Sequence, residues 1–243
     1  MSTKLEASIP LLRLSSVRKC RIVQRENRFV VTVETEGGEA RAHINNTGRL
    51  EELIVAGRTA YILPTPHTVK TDFRLFAVSE GEDAALLDTR MQMQFFERAL
   101  SEGRISWLKG CRFLRRDARL GASLIDYLIS CGDASFFLEI KSAVLRRGDR
   151  ASYPDCPTVR GQKHVRELTE HVRAGGRAAI CFMGGLPGVT AFTPDKEADP
   201  VLTELLFRAA ESGVEVRAVS LRYAPRLSAV CLDDPDLPVI LAE

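Results

Sequence analysis

No stretch of this sequence reaches eighteen consecutive apolar residues, so no segment has the length of a membrane-spanning helix. Its opening, STKLEASIPLLRLSSVRKC, lacks the basic, apolar and small-residue succession of a secretory leader, and a cytoplasmic location is expected. No two of its six cysteines, Cys20, Cys111, Cys131, Cys156, Cys181 and Cys231, stand at CxxC spacing. That scatter argues against zinc, and with Cys181 inside an apolar run all six are expected as free thiols. Internal repeats and low-complexity tracts are missing too. Aromatic residues make up only 7%, which leaves few candidates for a base-stacking surface. Against these absences stand 243 residues that are 45% hydrophobic, enough for two modest cores and too apolar for a disordered chain.

Net charge is +2, which by itself points to no partner, but its distribution is uneven. Residues 104 to 177 hold fifteen Lys and Arg against eight Asp and Glu, whereas residues 195 to 243 hold five against ten. Residues 1 to 60 are mildly basic, ten against seven. A basic middle suits weak, salt-sensitive contact with phosphates; a solvated surface explains the same count equally well.

Along the chain, CRIVQRENRFVVTVET alternates, Gly37 and Gly38 punctuate, and EARAHI resumes the strand pattern, which predicts a hairpin. AGRTAYIL and FRLFAV add short strands, and the close spacing predicts a small barrel or sandwich ending near residue 85. A helix follows from Asp88 or Thr89 as N-cap to Gly103 as stop. Strands are then expected at 104–118, 123–130 and 135–142 as a meander, a mobile basic loop over 143–157, and a helix from the Thr158 cap to Gly175. RAAICFM reads as a strand buried on both faces at the sheet centre, with helices on both sides. A strand near VTAF, a helix over 200–212, the strand VEVRAVSLRY and an acidic, Pro-containing tail complete an α/β domain.

The segment richest in chemistry is Glu139-Ile140-Lys141, because alternation along a strand puts Glu139 and Lys141 on one face. Asp126 lies thirteen residues earlier on the preceding strand, and pairing of the two strands would set its carboxylate beside that of Glu139. Two adjacent carboxylates repel unless a cation intervenes, and hard oxygens suit Mg2+ or Mn2+, with the Ile140 carbonyl as a further ligand. Lys141 would orient or deprotonate a water, or neutralise charge in the transition state of phosphodiester hydrolysis. An ExK motif alone is commonly a salt-bridged surface. Here a basic loop with Arg146 and Arg147 follows, then a helix opening with Arg160, Gln162, Lys163, His164 and Arg166, all placed to meet an anion. Gln162 joins Asp126, Glu139 and Lys141 as a catalytic candidate.

This order of strand, strand, loop and basic helix resembles the PD-(D/E)XK nuclease fold. More specifically, the chain resembles the sugar fermentation stimulation protein family, through RENRFVVTV (25–33), Asn46-Thr47-Gly48-Arg49, Pro66-His67-Thr68, Asp88-Thr89, Ile125-Asp126, Glu139-Ile140-Lys141-Ser142, Tyr153-Pro154-Asp155 and Arg160-Gly161-Gln162-Lys163-His164 with Arg166-Glu167-Leu168. The resemblance implies an α/β (mixed α+β) chain with an N-terminal OB-type β-barrel over residues 1–85. A PD-(D/E)XK nuclease-like α/β domain, a mixed sheet flanked by helices, would follow over 86–243. It also implies DNA binding without sequence preference, and a link to sugar metabolism through a regulatory role is the alternative to catalysis. The family's upstream acidic position, a Glu, falls here on Asp117, a shorter fourth metal ligand, and its Arg before the Ile is replaced by Leu124.

On the barrel, Arg25, Arg28, Asn46 and Arg49 are candidate nucleic-acid contacts, alongside Arg146, Arg147, Arg160, Lys163, His164 and Arg166 in the second domain. Asn46 to Arg49 reads as a turn, with phosphate holding as its functional reading. Arg21 and Tyr61 would complete a groove with Phe29, although Phe29 in an alternating strand reads first as core. His164 and His171 are two helical turns apart, about 10 Å, too far to chelate one ion; His164 reads as a phosphate contact or surface residue. His43 and His67 read as barrel or loop residues, and Gly184-Gly185 with Pro187-Gly188 as a turn. A homodimer is left open.

Overall fold

The computed structural model describes residues 9–65 and 70–241, so the Pro66-His67-Thr68 segment lies outside the described residues. The chain divides into two compact units. The first takes residues up to Arg98 together with Gly185–Gly188 and Ser220–Asp233; the second takes Ala99–Gly184, Val189–Val219 and the remainder. Among the described residues no helix is long and apolar enough to cross a membrane.

The first unit contains β1 (Ile9–Arg13), β2 (Arg18–Asn27), β3 (Val30–Thr35), β4 (Gly38–Ile44), β5 (Thr59–Pro64), β6 (Phe73–Glu80), β7 (Asp83–Leu86) and most of α1 (Thr89–Ser101). Five strands run in the order β4-β3-β2-β5-β6, and a parallel pairing of β4 with β6 closes them into a barrel. Alternation fills its interior: Val31, Val33, Ala42, Ile44, Ala60, Ile62 and Leu75 are fully buried. Asp88 caps α1, its Oδ1 accepting the Met91 N–H at 2.8 Å while Arg74 Nε lies 3.0 Å from Oδ2. The expected core role of Phe29 is corrected: it sits in the turn between β2 and β3 and is 43% exposed.

The second unit is built on β8 (Cys111–Leu120), β9 (Ser123–Cys131) and β10 (Ala134–Ala143), an antiparallel meander. Then come β11 (Leu145–Arg147), β12 (Arg150–Tyr153), α2 (Val159–Arg173), β13 (Ala178–Gly184), β14 (Ala191–Pro194), α3 (Pro200–Glu211) and β15 (Glu215–Ala224), whose last residues belong with the first unit. β16 (Ala229–Asp234) pairs with β1. β13 joins β10 in parallel and is buried at every residue, as its uncharged sequence predicts.

Four expectations change. The segment 104–110 is a short 3₁₀ turn and linker, so the first meander strand begins at Cys111. The basic segment 143–157 is no simple loop: β11 and β12 form a hairpin, and β12 pairs in parallel with β14 as a separate three-stranded sheet. The acidic tail contains β16. Cys111 and Cys131, opposite one another in the β8–β9 ladder, form a disulfide, so only Cys20, Cys156, Cys181 and Cys231 are free thiols.

The face of β10 that carries Phe137, Glu139 and Lys141 is covered from two directions. His171 of α2 packs edge-on against Phe137 at 5.1 Å. From the small sheet, Tyr153 and Phe192 pack on Phe182 of β13, the residue in register with Lys141. Thr158 starts α2 as the sequence predicts, its side chain accepting the Gly161 N–H.

Candidate metal centre and nucleic-acid contacts

The β9–β10 ladder runs from Ala134↔Cys131 to Leu138↔Tyr127 and stops there, while β10 stays paired to β13 as far as Ala143. Where the ladder ends, carboxylates take over. Glu139 Oε2 accepts the Asp126 N–H at 3.3 Å, and Asp126 Oδ2 accepts the Ile140 N–H at 2.7 Å. A strand pair that loses its regular rungs here thus satisfies its amides with the side chains of its own acidic residues. The two carboxylates are thereby fixed side by side.

Lys141 Nζ donates to Glu139 Oε1 at 2.5 Å, and His164 Nδ1 lies 2.5 Å from the same oxygen. Burial alone would raise the Glu139 carboxyl, but Lys141 and then His164 outweigh it and hold it below the usual range. Glu139 is therefore an ionised acceptor, which makes His164 Nδ1–H the donor. Arg160 Nε, 3.5 Å from His164 Nε2, favours the same tautomer. Asp126 behaves oppositely: burial and then the neighbouring Glu139 charge push it up to about 7. Burial works against the Lys141 charge, yet Glu139 and Tyr153 keep its pKa above the ordinary lysine value.

Asp126, Glu139 and Lys141 are thus brought together in one buried cluster. Asp117 stands opposite Asp126 by register, between the Arg116↔Tyr127 and Ala118↔Ile125 pairs, with left-handed φ of 49° and an exposed side chain. Among the described residues, no three His, Cys, Asp or Glu side chains converge into a metal-holding group. The placement of Gln162 is corrected: its amide donates to both Asp199 carboxylate oxygens, at 3.0 and 3.1 Å, and so is committed to the N-cap of α3. His164 is corrected as well, since it is 4% exposed and belongs to the Glu139 cluster, not to the surface. Its position on the stripe Gly161, His164, Val165, Leu168 was the available signal. Sequence reasoning missed Tyr153, adjacent to Lys141 and hydrogen-bonded to Thr158, although it stands in the Tyr153-Pro154-Asp155 segment, and Asp199, which accepts the Thr158 and Leu202 amides just ahead of the helix expected over 200–212.

Of the cationic candidates, Arg160, Lys163 and Arg166 project from α2 as an exposed row three residues apart. Lys163 also reaches the Ala122 carbonyl at 3.2 Å. Arg147 pairs with the buried Asp195 at 2.8 Å, and Arg146 lies beside it on β11. In the first unit, Arg25 donates to the carbonyls of Asn27, Arg28, Gly48 and Arg49, and Arg28 to that of Thr47. Asn46 donates to Leu87 and accepts the Gly48 N–H. The Asn46–Arg49 segment is therefore a turn braced by two guanidinium groups, which remain cationic at the surface. Arg49 is exposed, and Tyr61 packs edge-on against Tyr223.

Comparison with known proteins places these units. Residues 23–87 match the family model described as the SfsA N-terminal OB domain, and residues 90–226 that of the sugar fermentation stimulation protein RE domain. A sugar fermentation stimulation protein homolog from Pyrococcus furiosus is 44% identical over 87% of this chain and 91% of its own length. One from Archaeoglobus fulgidus is 44% identical over 95% of this chain and 99% of its own. A solved structure of Pyrococcus furiosus SfsA in complex with Ca2+ superposes with a TM-score of 0.92 at 41% identity, covering 96% of this chain and all of that one. With both domain models matched in order and relatives aligned over nearly their full length, the chain belongs to the sugar fermentation stimulation protein family.

Proposed function

We propose that this chain binds DNA without strong sequence preference and that Asp126, Glu139 and Lys141 form a nuclease-like site hydrolysing phosphodiesters with Mg2+ or Mn2+. The observation that carries the reading is the side-by-side fixation of Asp126 and Glu139 at the end of the β9–β10 ladder, with Lys141 on the same carboxylate. The donor set fits a hard divalent cation: burial and the neighbouring Glu139 charge raise the Asp126 carboxyl, and Asp126 Oδ1 has no protein donor among its described contacts. Asp126 and Glu139, with the Ile140 carbonyl and Asp117 at the margin, would hold it. A bound cation supplies Lewis-acid polarisation of a phosphoryl oxygen. The solved relative in complex with Ca2+ supports a hard cation, since Ca2+ and Mg2+ share oxygen ligands.

The remaining work falls to the chain itself. His164 and the Asp126 amide hold Glu139 in one orientation. Lys141, an ammonium donating to Glu139, is assigned to neutralising negative charge that develops on the phosphate, and not to deprotonating water. Arg160, Lys163 and Arg166, with Arg146 and Arg147 on the hairpin, provide phosphate contacts, and the barrel arginines Arg25, Arg28 and Arg49 with Asn46 provide others. In this reading residues 1–85 are the DNA-holding domain and 86–243 the hydrolytic one, working in the cytoplasm singly or as a homodimer.

One observation favours a second reading, a non-catalytic DNA-binding regulator of sugar metabolism. Glu139 is already satisfied by Lys141 and His164, and among the described residues no three His, Cys, Asp or Glu side chains gather into a metal-holding group. Incubation of supercoiled plasmid and single-stranded DNA with Mn2+, Mg2+ or EDTA separates the two. The hydrolytic reading expects cleavage that EDTA abolishes and that Glu139→Ala and Lys141→Ala each reduce at least a hundredfold. Cleavage unchanged in both variants overturns it; no cleavage, with DNA binding that survives EDTA and weakens steeply with salt, selects the regulator.

A further inference from the structure

The barrel unit displays an aromatic surface that the hydrolytic site does not use. Phe29 is fixed by its backbone: its N–H donates to Asn27 Oδ1 at 2.9 Å and its carbonyl accepts the Ile44 N–H at 2.8 Å. The ring, turned out of the core, is 43% exposed. Because Val30 pairs with His43 across β3 and β4, the His43 ring comes alongside, 6.3 Å away and within 11° of parallel. The Arg28 guanidinium stands 5.9 Å from the Phe29 ring centre and is held there by the Thr47 carbonyl. Exposed Arg49 follows in the same braced turn. The nearest acid on β2, Glu26, is occupied by Arg41 and Thr32.

We propose that the Phe29–His43 pair is a base-stacking platform for single-stranded DNA, flanked by Arg28 and Arg49 for its phosphates; this rests on the reading that the chain binds DNA. An exposed phenylalanine gains from covering by a flat apolar surface, and the adjoining cations require that surface to be joined to anions. An unpaired base on a phosphate backbone has both properties, and every base offers a π-face, so the platform is indifferent to sequence. In a duplex those faces are already stacked. The platform therefore selects strand state, not sequence.

The test is fluorescence anisotropy with the full chain in EDTA, at one salt concentration, using labelled oligothymidylate, an abasic oligomer of equal length and a duplex. The expected result is oligothymidylate bound roughly ten- to a hundredfold more tightly than the abasic strand. Phe29→Ala and His43→Ala should lose most of that ratio without changing the abasic affinity, while Phe29→Trp keeps it. If Phe29→Ala does not fold, His43→Ala and Phe29→Trp, the latter read by quenching of the new indole on oligothymidylate, decide the matter. Equal affinity for the thymidylate and abasic strands, or a ratio unmoved in folded variants, overturns the platform and leaves the DNA reading standing. Failure to bind any of the three DNAs overturns both.

Discussion

Asp126 and Glu139 are locked together where the β9–β10 ladder ends, the Glu139 carboxylate accepting the Asp126 amide and the Asp126 carboxylate accepting the next amide, that of Ile140. The strand that ends its pairing with β9 here continues beside β13, so the acidic pair sits on a rigid support. Position and charge at the site are consequently set by the same bonds.

Removing Glu139 strands two cationic or donor groups inside the protein, Lys141 and His164. Glu139→Ala is expected to cost about 3 kcal/mol of folding stability, because an unpartnered buried charge is more costly than the lost attraction. Urea unfolding of Glu139→Leu combined with Lys141→Met should recover a large part of that loss. Equal stability of Glu139→Ala and the wild type would mean the cluster is solvated.

Asp199 makes the α3 end acid-sensitive. Burial would raise its carboxyl, but the Thr158 and Leu202 amides and the Gln162 side chain outweigh burial and hold it below the usual aspartate range. Its folded-state pKa is thus depressed, so its contribution is fully present above the unfolded aspartate value and is lost as pH falls through the folded one. Asp199→Ala should cost about 1–2 kcal/mol at neutral pH and flatten the acid limb of the stability profile. Gln162→Ala should cost about 1 kcal/mol and, under the proposed hydrolytic reading, leave cleavage within a few-fold of the unsubstituted chain, because its amide serves Asp199.

Thiol counting separates the disulfide from the expectation of six free cysteines. Unfolded protein without reductant should show four thiols, and six with reductant. In the folded state Cys156 should react first, since Cys20, Cys181 and Cys231 are buried, and burial pushes the Cys20 thiol up to about 12. Six thiols in the unreduced unfolded protein would remove the Cys111–Cys131 bond from the account.

What the sequence made legible was local. Alternation put Glu139 and Lys141 on one face, Thr158 announced α2, and the uncharged run after Arg177 announced β13. Contacts between distant segments were illegible: Cys111 meeting Cys131 across a ladder, Gln162 meeting Asp199 thirty-seven residues on, and β12 finding β14. Each depends on register or helix packing, which no window of sequence encodes. His164 lies between the two classes. Its spacing from Gly161 and Leu168 marked the inward stripe of α2, but its charge type suggested surface, and only the packing of α2 against β10 shows Glu139 as its partner. Phe29 misled in the opposite sense, because a hairpin turn interrupts the alternation that implied burial.

The most direct measurement is a crystal of the full chain soaked in Mn2+ and read by anomalous scattering. The account predicts a peak shared by the Asp126 and Glu139 carboxylates, absent in an Asp126→Asn, Glu139→Gln double variant. A cation found only elsewhere, with Lys141 and His164 still closed on Glu139, would contradict the metal-dependent site.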